Sequence, residues 1–310
     1  MHPETTDPDR TCMRNFLTHH LLPAFLCIWF ACFPAAGNET AKVFLKGMDA
    51  FDRGHYKRSI KIFKRILKDN SNLSQMSRVQ YQIGLAYEAM GKDQKAFEAY
   101  ETIFRKYPDI RNPDEIIERQ FNLAMAFQQR KEDRLLGIDF KESSKRALEI
   151  FEAVTRNSPY GPFAEKAMLK AIHIQLDRKE YELALEKINA FKKGYETSPL
   201  LDEIHFLEGV VYFRQKKNTD RDQINTREAL DKFSFYLKEH PDGAFKAEAE
   251  KNLATLREML SEYYYQTGDF YLRHGQNESA AKYFKDIIEQ FPQSRYAEKA
   301  AENLALPTGL

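Results

Sequence analysis

In this chain of 310 residues, 47 Lys and Arg face 46 Asp and Glu, so it lacks the broad cationic excess that nucleic-acid binding requires. With 43% hydrophobic and 30% charged residues it has material for an extended core, and the lack of period-two alternation argues against sheet. All three cysteines, Cys12, Cys27 and Cys32, lie near the N-terminus, which excludes disulfides and thiolate metal sites from the remainder.

The first element in chain order is "LLPAFLCIWFACF", residues 21–33, an uncharged apolar run. A bilayer span takes about 20 residues, so this one is too short and reads as the hydrophobic part of a secretory signal. Glu4, Asp7 and Asp9 are atypical upstream of such a run, whereas a start at Met13 places Arg14 near its head. Ala35 and Gly37 suit the positions before a cleavage site, which predicts a signal peptide over 1–37 and a mature chain from Asn38. Lipidation at Cys32 is the alternative, although Trp29 and Phe30 stand where a lipobox has a leucine-like and a small residue. Membrane association would then run through that lipid anchor or through a partner.

Beyond Asn38 a spacing rule appears. "GLAYEAMGKDQKAFEAYETIFRKYP" places Tyr87, Gly91, Ala96, Tyr100 and Pro108 at +3, +7, +12, +16 and +24 from Gly84. "GDFYLRHGQNESAAKYFKDIIEQFP" repeats those offsets from Gly268 with Tyr271, Gly275, Ala280, Phe284 and Pro292. An earlier copy keeps Gly47, Gly54, Ser59 and Phe63, and the second half returns as Ala147, Phe151, Pro159 and as Ala229, Phe233, Pro241. Tyr181, Ala184 and Ile188 give a looser version.

These are the offsets of the tetratricopeptide repeat, a helical hairpin of about 34 residues. The reading is an all-α, right-handed superhelix of about six hairpins over 41–70, 76–108, 114–158, 161–196, 199–240 and 244–305. The +7 glycine turns the chain, the +12 alanine lets the paired helices approach, and the proline ends the second helix. The +3 and +16 aromatics are expected to fill the space between hairpins. Charged insertions between Phe127 and Ala147 and between Tyr212 and Ala229 read as solvated loops.

From Ala244 to His274 only Gly268 interrupts the helical pattern, which predicts one long helix or two nearly continuous ones. Its Tyr263, Tyr264, Tyr265 and Tyr271 exceed what the repeat demands. Packing accounts for two, and exposed remainder would make a partner-binding face. No HExxH, Walker glycine loop or GxSxG turn is present, and Asp220 and Asp222 beside Arg221 read as a solvated turn. Nothing in the sequence points to a catalytic, cofactor or metal site.

The order of features over 111–310 resembles one family. "SPYGPFAEKA", "SPLLDEIHFLEGVVYF" and "TREALDKFSFYLKEHPDGAFKAEAEKNLATLREMLSEYYYQTGDFYLRHG" are similar, in that sequence, to the BamD (YfiO/ComL) outer-membrane assembly lipoproteins. The resemblance implies a non-catalytic protein on the periplasmic face of the outer membrane. It implies two kinds of partner: unfolded outer-membrane proteins received in a groove, and the POTRA domains of an Omp85-type, BamA-like barrel subunit. Carried over by position, Tyr160, Phe163, Tyr212 and Arg214 fall on the receiving groove, and Tyr264, Tyr271 and Arg273 on the docking face. Tyr212, at the +3 position, reads equally well as core filler. The two hairpins of 38–110 have no counterpart in the family, and Lys282 and Tyr283 stand where it often has Asn-Arg. A tetratricopeptide adaptor of a Tol or pilus system is the alternative reading.

Overall fold

The computed structural model describes residues 38–69, 73–107, 110, 112–130, 140–215 and 223–305, and these form thirteen α-helices with no strand among them. They pair in chain order. The first three hairpins are α1 (Asn38–Asp52) with α2 (Tyr56–Asp69), α3 (Leu73–Ala89) with α4 (Asp93–Lys106), and α5 (Pro113–Arg130) with α6 (Phe140–Asn157). The next three are α7 (Ala164–Asp177) with α8 (Tyr181–Gly194), α9 (Leu201–Gln215) with α10 (Gln223–Glu239), and α11 (Lys246–Arg273) with α12 (Asn277–Gln290). The fold is a tetratricopeptide-repeat solenoid. Residues 1–37, with Cys32, Gly37 and the expected cleavage site, lie outside the described residues, as do Pro108, Asp220, Asp222 and most of both charged insertions.

Two details of the expected plan change. The sixth unit, expected as a hairpin over 244–305, is a hairpin plus a further helix, α13 (Arg295–Ala305), which starts beyond the Pro292 that ends the run of α12. In the first, second, fifth and sixth hairpins the second-helix aromatic fills the crossing inside the hairpin rather than the space between hairpins. A Cβ added to Gly47, Gly84, Gly209 or Gly268 would lie 2.5, 2.2, 2.8 or 2.8 Å from the ring of Phe63, Tyr100, Phe233 or Phe284 respectively. The glycine is therefore a socket for the ring sixteen residues later, or twenty-four later in the fifth hairpin, where an insertion separates the two helices. Between them, Ser59, Ala96, Ala147, Ala184, Ala229 and Ala280 are all fully or almost fully buried, which is what close approach of paired helices needs. Ser59 places its hydroxyl there by donating to the Gly47 carbonyl at 2.9 Å.

The fourth hairpin solves the same problem with different volumes. Ile172 and Ile188 occupy the glycine and aromatic positions, both fully buried, so a bulkier socket meets a smaller plug. The turn after the first helix has positive φ at Gly54, Gly91 and Gly275, and Lys179 adopts the same conformation at φ 61° in the fourth hairpin. From Lys246 to Arg273 the chain is a single helix of 28 residues. Leu253 and Leu256 of α11 complete the core of the fourth and fifth hairpins, and Leu260 and Tyr264 enter the core of the sixth.

Candidate protein-binding surfaces

The joins between hairpins position the candidates. In "SPYGPF" the Gly161 amide donates to the Ser158 carbonyl and the Ala164 amide to the Gly161 carbonyl, each at 3.1 Å, winding the chain straight into α7. A Cβ at Gly161 would meet Ser158 Oγ at 2.2 Å. The next hairpin braces this join, Tyr195 Oη donating to the Pro159 carbonyl at 2.6 Å. Tyr160 projects from it 90% exposed.

Phe163 does something else. It caps α7 without a side-chain hydrogen bond and lays its ring 5.2 Å from that of Phe121 on α5. The same arrangement recurs in "HPDGAF", where Phe245 caps α11 and stacks on Phe206 at 4.7 Å and 8°. Phe163 is thus a staple between hairpins, half-buried against the core of the second and third. The repeated Pro-x-Gly-x-Phe spacing was the signal for both phenylalanines.

Tyr212 is half-buried against the core of the fourth and fifth hairpins; burial, then the nearby Glu228 carboxylate, raises its hydroxyl pKa. Arg214 is exposed and reaches Asp177 on α7 at 3.9 Å. The four candidates therefore do not form one cluster. Tyr160 and Phe163 stand at the start of α7, whereas Arg214 meets its end, 14 residues or about 20 Å away. Between those ends α7 and the chain leading through α9 are laced by side chains. Ser198 Oγ donates to Glu165 at 2.5 Å and His173 Nε2 to Glu203 at 2.7 Å. A second set joins α3 to α5, where Arg119 donates to Tyr81 Oη at 2.7 Å and to Glu88 at 2.9 Å, and Tyr81 Oη donates to Glu115.

On the C-terminal face the tyrosines divide. Tyr264 is only 7% exposed, takes a 2.6 Å hydrogen bond from Arg227 and packs against Tyr283 and Phe291. It is core, and its assignment to a docking surface is corrected on that ground. Tyr271 is half-buried and stacks on Tyr283 at 5.6 Å and 13°. Arg273 is exposed and pairs with Asp269 one turn back at 2.8 Å. The residue missed from sequence is Phe270, 56% exposed, with the His274 ring 4.1 Å away. At the same register, two residues after the socket glycine, Ala86 and Val211 are fully buried. The outer half of α11 rests on α12 and α13 and leaves that register open.

A buried carboxylate and a half-buried histidine pair hold the fifth hairpin together. Glu208 lies in the apolar run of α9 and is met by Lys192 of α8 at 2.6 Å and Lys232 of α10 at 2.9 Å. Beside it, His205 Nδ1 is hydrogen-bonded to His240 Nε2 at 2.8 Å, and His240 Nδ1 lies 3.5 Å from Asp202. Burial lowers the pKa of His205, and His240 and Lys192 lower it further against Glu208 and Glu239. The fold disfavours the protonated form of His205, so below its ordinary value of 6.5 the unfolded chain takes up the proton first and stability falls. The melting temperature is expected to drop between pH 7.5 and 5 more steeply in the native chain than in His205→Gln, and parallel pH profiles would exclude this role.

Among the described residues no group of three His, Cys, Asp or Glu could hold a metal ion, and no helix is long and apolar enough to cross a membrane. What the surfaces offer is exposed aromatic and guanidinium groups on a rigid helical frame, the means of protein recognition.

Comparison with known proteins bears on the same region. A family model described as YfiO, outer membrane lipoprotein, matches residues 139–305, and a tetratricopeptide-repeat model matches 78–109. An outer membrane protein assembly factor BamD of Vibrio cholerae is 25% identical over 166 residues, covering 50% of this chain and 69% of the relative. A BamD of Xylella fastidiosa is 26% identical over 164 residues, covering 50% of this chain and 56% of the relative. Among solved structures, a thermophilic tetratricopeptide-repeat protein of Thermus thermophilus has a TM-score of 0.34 at 16% identity, covering 70% of this chain and 97% of its own.

Proposed function

We propose a function from one premise: the chain belongs to the YfiO family of outer membrane lipoproteins, whose model spans more than half of it. On that premise it is a non-catalytic envelope scaffold, at the periplasmic face of the outer membrane, that takes part in assembling outer-membrane β-barrel proteins. The relatives named as assembly factors support this reading over the half of the chain they share. Tyr160, standing free at the α6–α7 join, is the anchor for unfolded barrel segments. The end of α11, with Phe270, Tyr271 and Arg273, is the docking surface for the POTRA domains of an Omp85-type subunit.

The observation that carries the docking surface is Phe270, exposed at a register that is buried in the second and fifth hairpins. An aromatic beside an arginine on a rigid helix end is the composition of an interface anchor, and losing such an anchor costs about 2 kcal/mol, or roughly 30-fold in affinity. Phe270→Ala/Arg273→Ala is therefore expected to lose the Omp85-type partner on purification from crosslinked envelopes while the melting temperature holds. Recovery of that partner at native levels by the variant removes the docking surface. Recovery of an unrelated envelope partner by the native chain removes the assembly role.

A further inference from the structure

The first hairpin carries a feature that no part of this function uses. Helix α2, YKRSIKIFKRILKD, has six cations and one acid in a chain whose net charge is +1. At 100° per residue, Lys57, Arg58, Lys61, Lys64, Arg65 and Lys68 fall within about a third of the helix circumference. The structure has all six exposed, and Ser59, Ile60, Phe63 and Ile66 buried on the other side. Lys64 leans on α3, donating to Tyr87 Oη at 3.2 Å. Lys57, Arg58, Lys61 and Lys68 form no ion pair among the described residues.

The segregation is sharper than solubility needs, since a solvated helix face ordinarily mixes signs along its i, i+4 rows. Six like charges over about 17 Å repel one another, a cost that an anionic surface removes. Three observations choose among anionic surfaces. The chain belongs to a family of outer membrane lipoproteins and so works beside a bilayer. The basic arc of α2 contains no aromatic residue on which nucleobases would stack, and the neighbouring Tyr87 is half-buried with Lys64 over its ring. The cations lie along one straight helix on the outside of the hairpin, a line suited to a plane of phosphates rather than to a single acidic peptide.

We propose that the basic face of α2 binds the phosphate headgroups of anionic phospholipid and sets the solenoid's first hairpin against the membrane surface. Long lysine and arginine stems reach the headgroup plane while Phe63 and Ile66 stay in the protein core, so the contact is electrostatic and does not insert. It lies in the two hairpins that precede the family match at 139–305. It rests on membership of a membrane lipoprotein family and not on the docking surface of α11, so either proposal can fail alone.

The test is co-sedimentation of the full chain with vesicles of phosphatidylcholine, with and without phosphatidylglycerol, at low and high salt. The native chain is expected to partition preferentially onto the anionic vesicles and to lose that preference at high salt. Each cation near such a surface is worth roughly fivefold in partitioning, so Lys57→Gln/Lys61→Gln/Lys68→Gln should weaken it by roughly 100-fold. The three lysines are exposed, so the variant should melt at the native temperature, and using the full chain in both arms cancels any contribution of the apolar run 21–33. Equal partitioning of the two proteins onto anionic vesicles overturns the proposal. So does a native chain that ignores anionic vesicles but binds polyglutamate through these lysines, which would give the face an acidic protein partner instead.

Discussion

Replacing Gly209 by isoleucine costs about 3 kcal/mol of unfolding free energy, and replacing Phe233 by isoleucine in the same chain returns about 1–3 kcal/mol of it. The single change drives a branched side chain into a ring that a lone Cβ would already approach to 2.8 Å. Phe233 is fully buried and flanked by the rings of Phe206 and Phe213, so it has no direction in which to yield. The paired change rebuilds the solution that the fourth hairpin already uses, where Ile172 faces Ile188 at the same two positions. Urea titration of the two single variants and the double variant measures the coupling. Additivity to within about 0.5 kcal/mol would show that the two positions do not share one socket.

Glu208→Ala should lower stability by about 2–4 kcal/mol. Glu208 is 5% exposed and takes one lysine on each carboxylate oxygen, so its removal strands two cations that approach it from different helices. The figure sits below that for a fully buried pair because Lys192 and Lys232 retain 27% and 31% of their side-chain exposure. Burial pushes the Glu208 carboxyl pKa up, and the hydrogen bonds from Lys192 and Lys232 more than reverse this, leaving it below the ordinary glutamate value. The contribution is thus complete above the unfolded value of about 4.5 and fades as acid brings the pH through the lower folded one. Thermal melts of the native and variant chains at pH 7 and pH 3.5 should differ most at pH 7. A gap as wide at the acid end, or none at pH 7, would remove the charge triad as a stabilising element.

Sequence offsets carried the repeat well because each marks a strong local constraint. A positive φ at Gly54, Gly91 and Gly275, a small side chain at Ala96 and Ala280, and the uninterrupted stretch behind α11 all have causes within a few residues. The interaction surfaces were less legible because burial is decided by neighbours distant in the chain. Tyr264 and Phe270 lie on the same helix, six residues apart, and only the positions of α10 and α12 make one core and the other surface. Glu208 looks anomalous in "HFLEGVVYF" until Lys192 and Lys232 are brought to it from sixteen residues before and twenty-four after. The groove candidates failed to converge for a similar reason. Matching motifs by order places residues along a helix without saying which end faces which, and α7 is long enough to keep Phe163 and Arg214 apart.

The single helix of α11 also has a mechanical consequence. Its first half is gripped by the fifth hairpin at Leu253 and Leu256, and its start is fixed by the Ala244 amide donating to Asp202 at 3.1 Å and the Phe245 amide to Tyr236 Oη at 3.0 Å. Phe270 stands 14 residues beyond Leu256, at the tip of an arm about 21 Å long. A tilt of about 10° where α11 leaves the core of the fifth hairpin would sweep that tip through roughly 4 Å. A helix held in this way can work as a lever with its fulcrum in the core around Leu256, so that a small rearrangement in the fifth hairpin would be magnified at the outer end of α11.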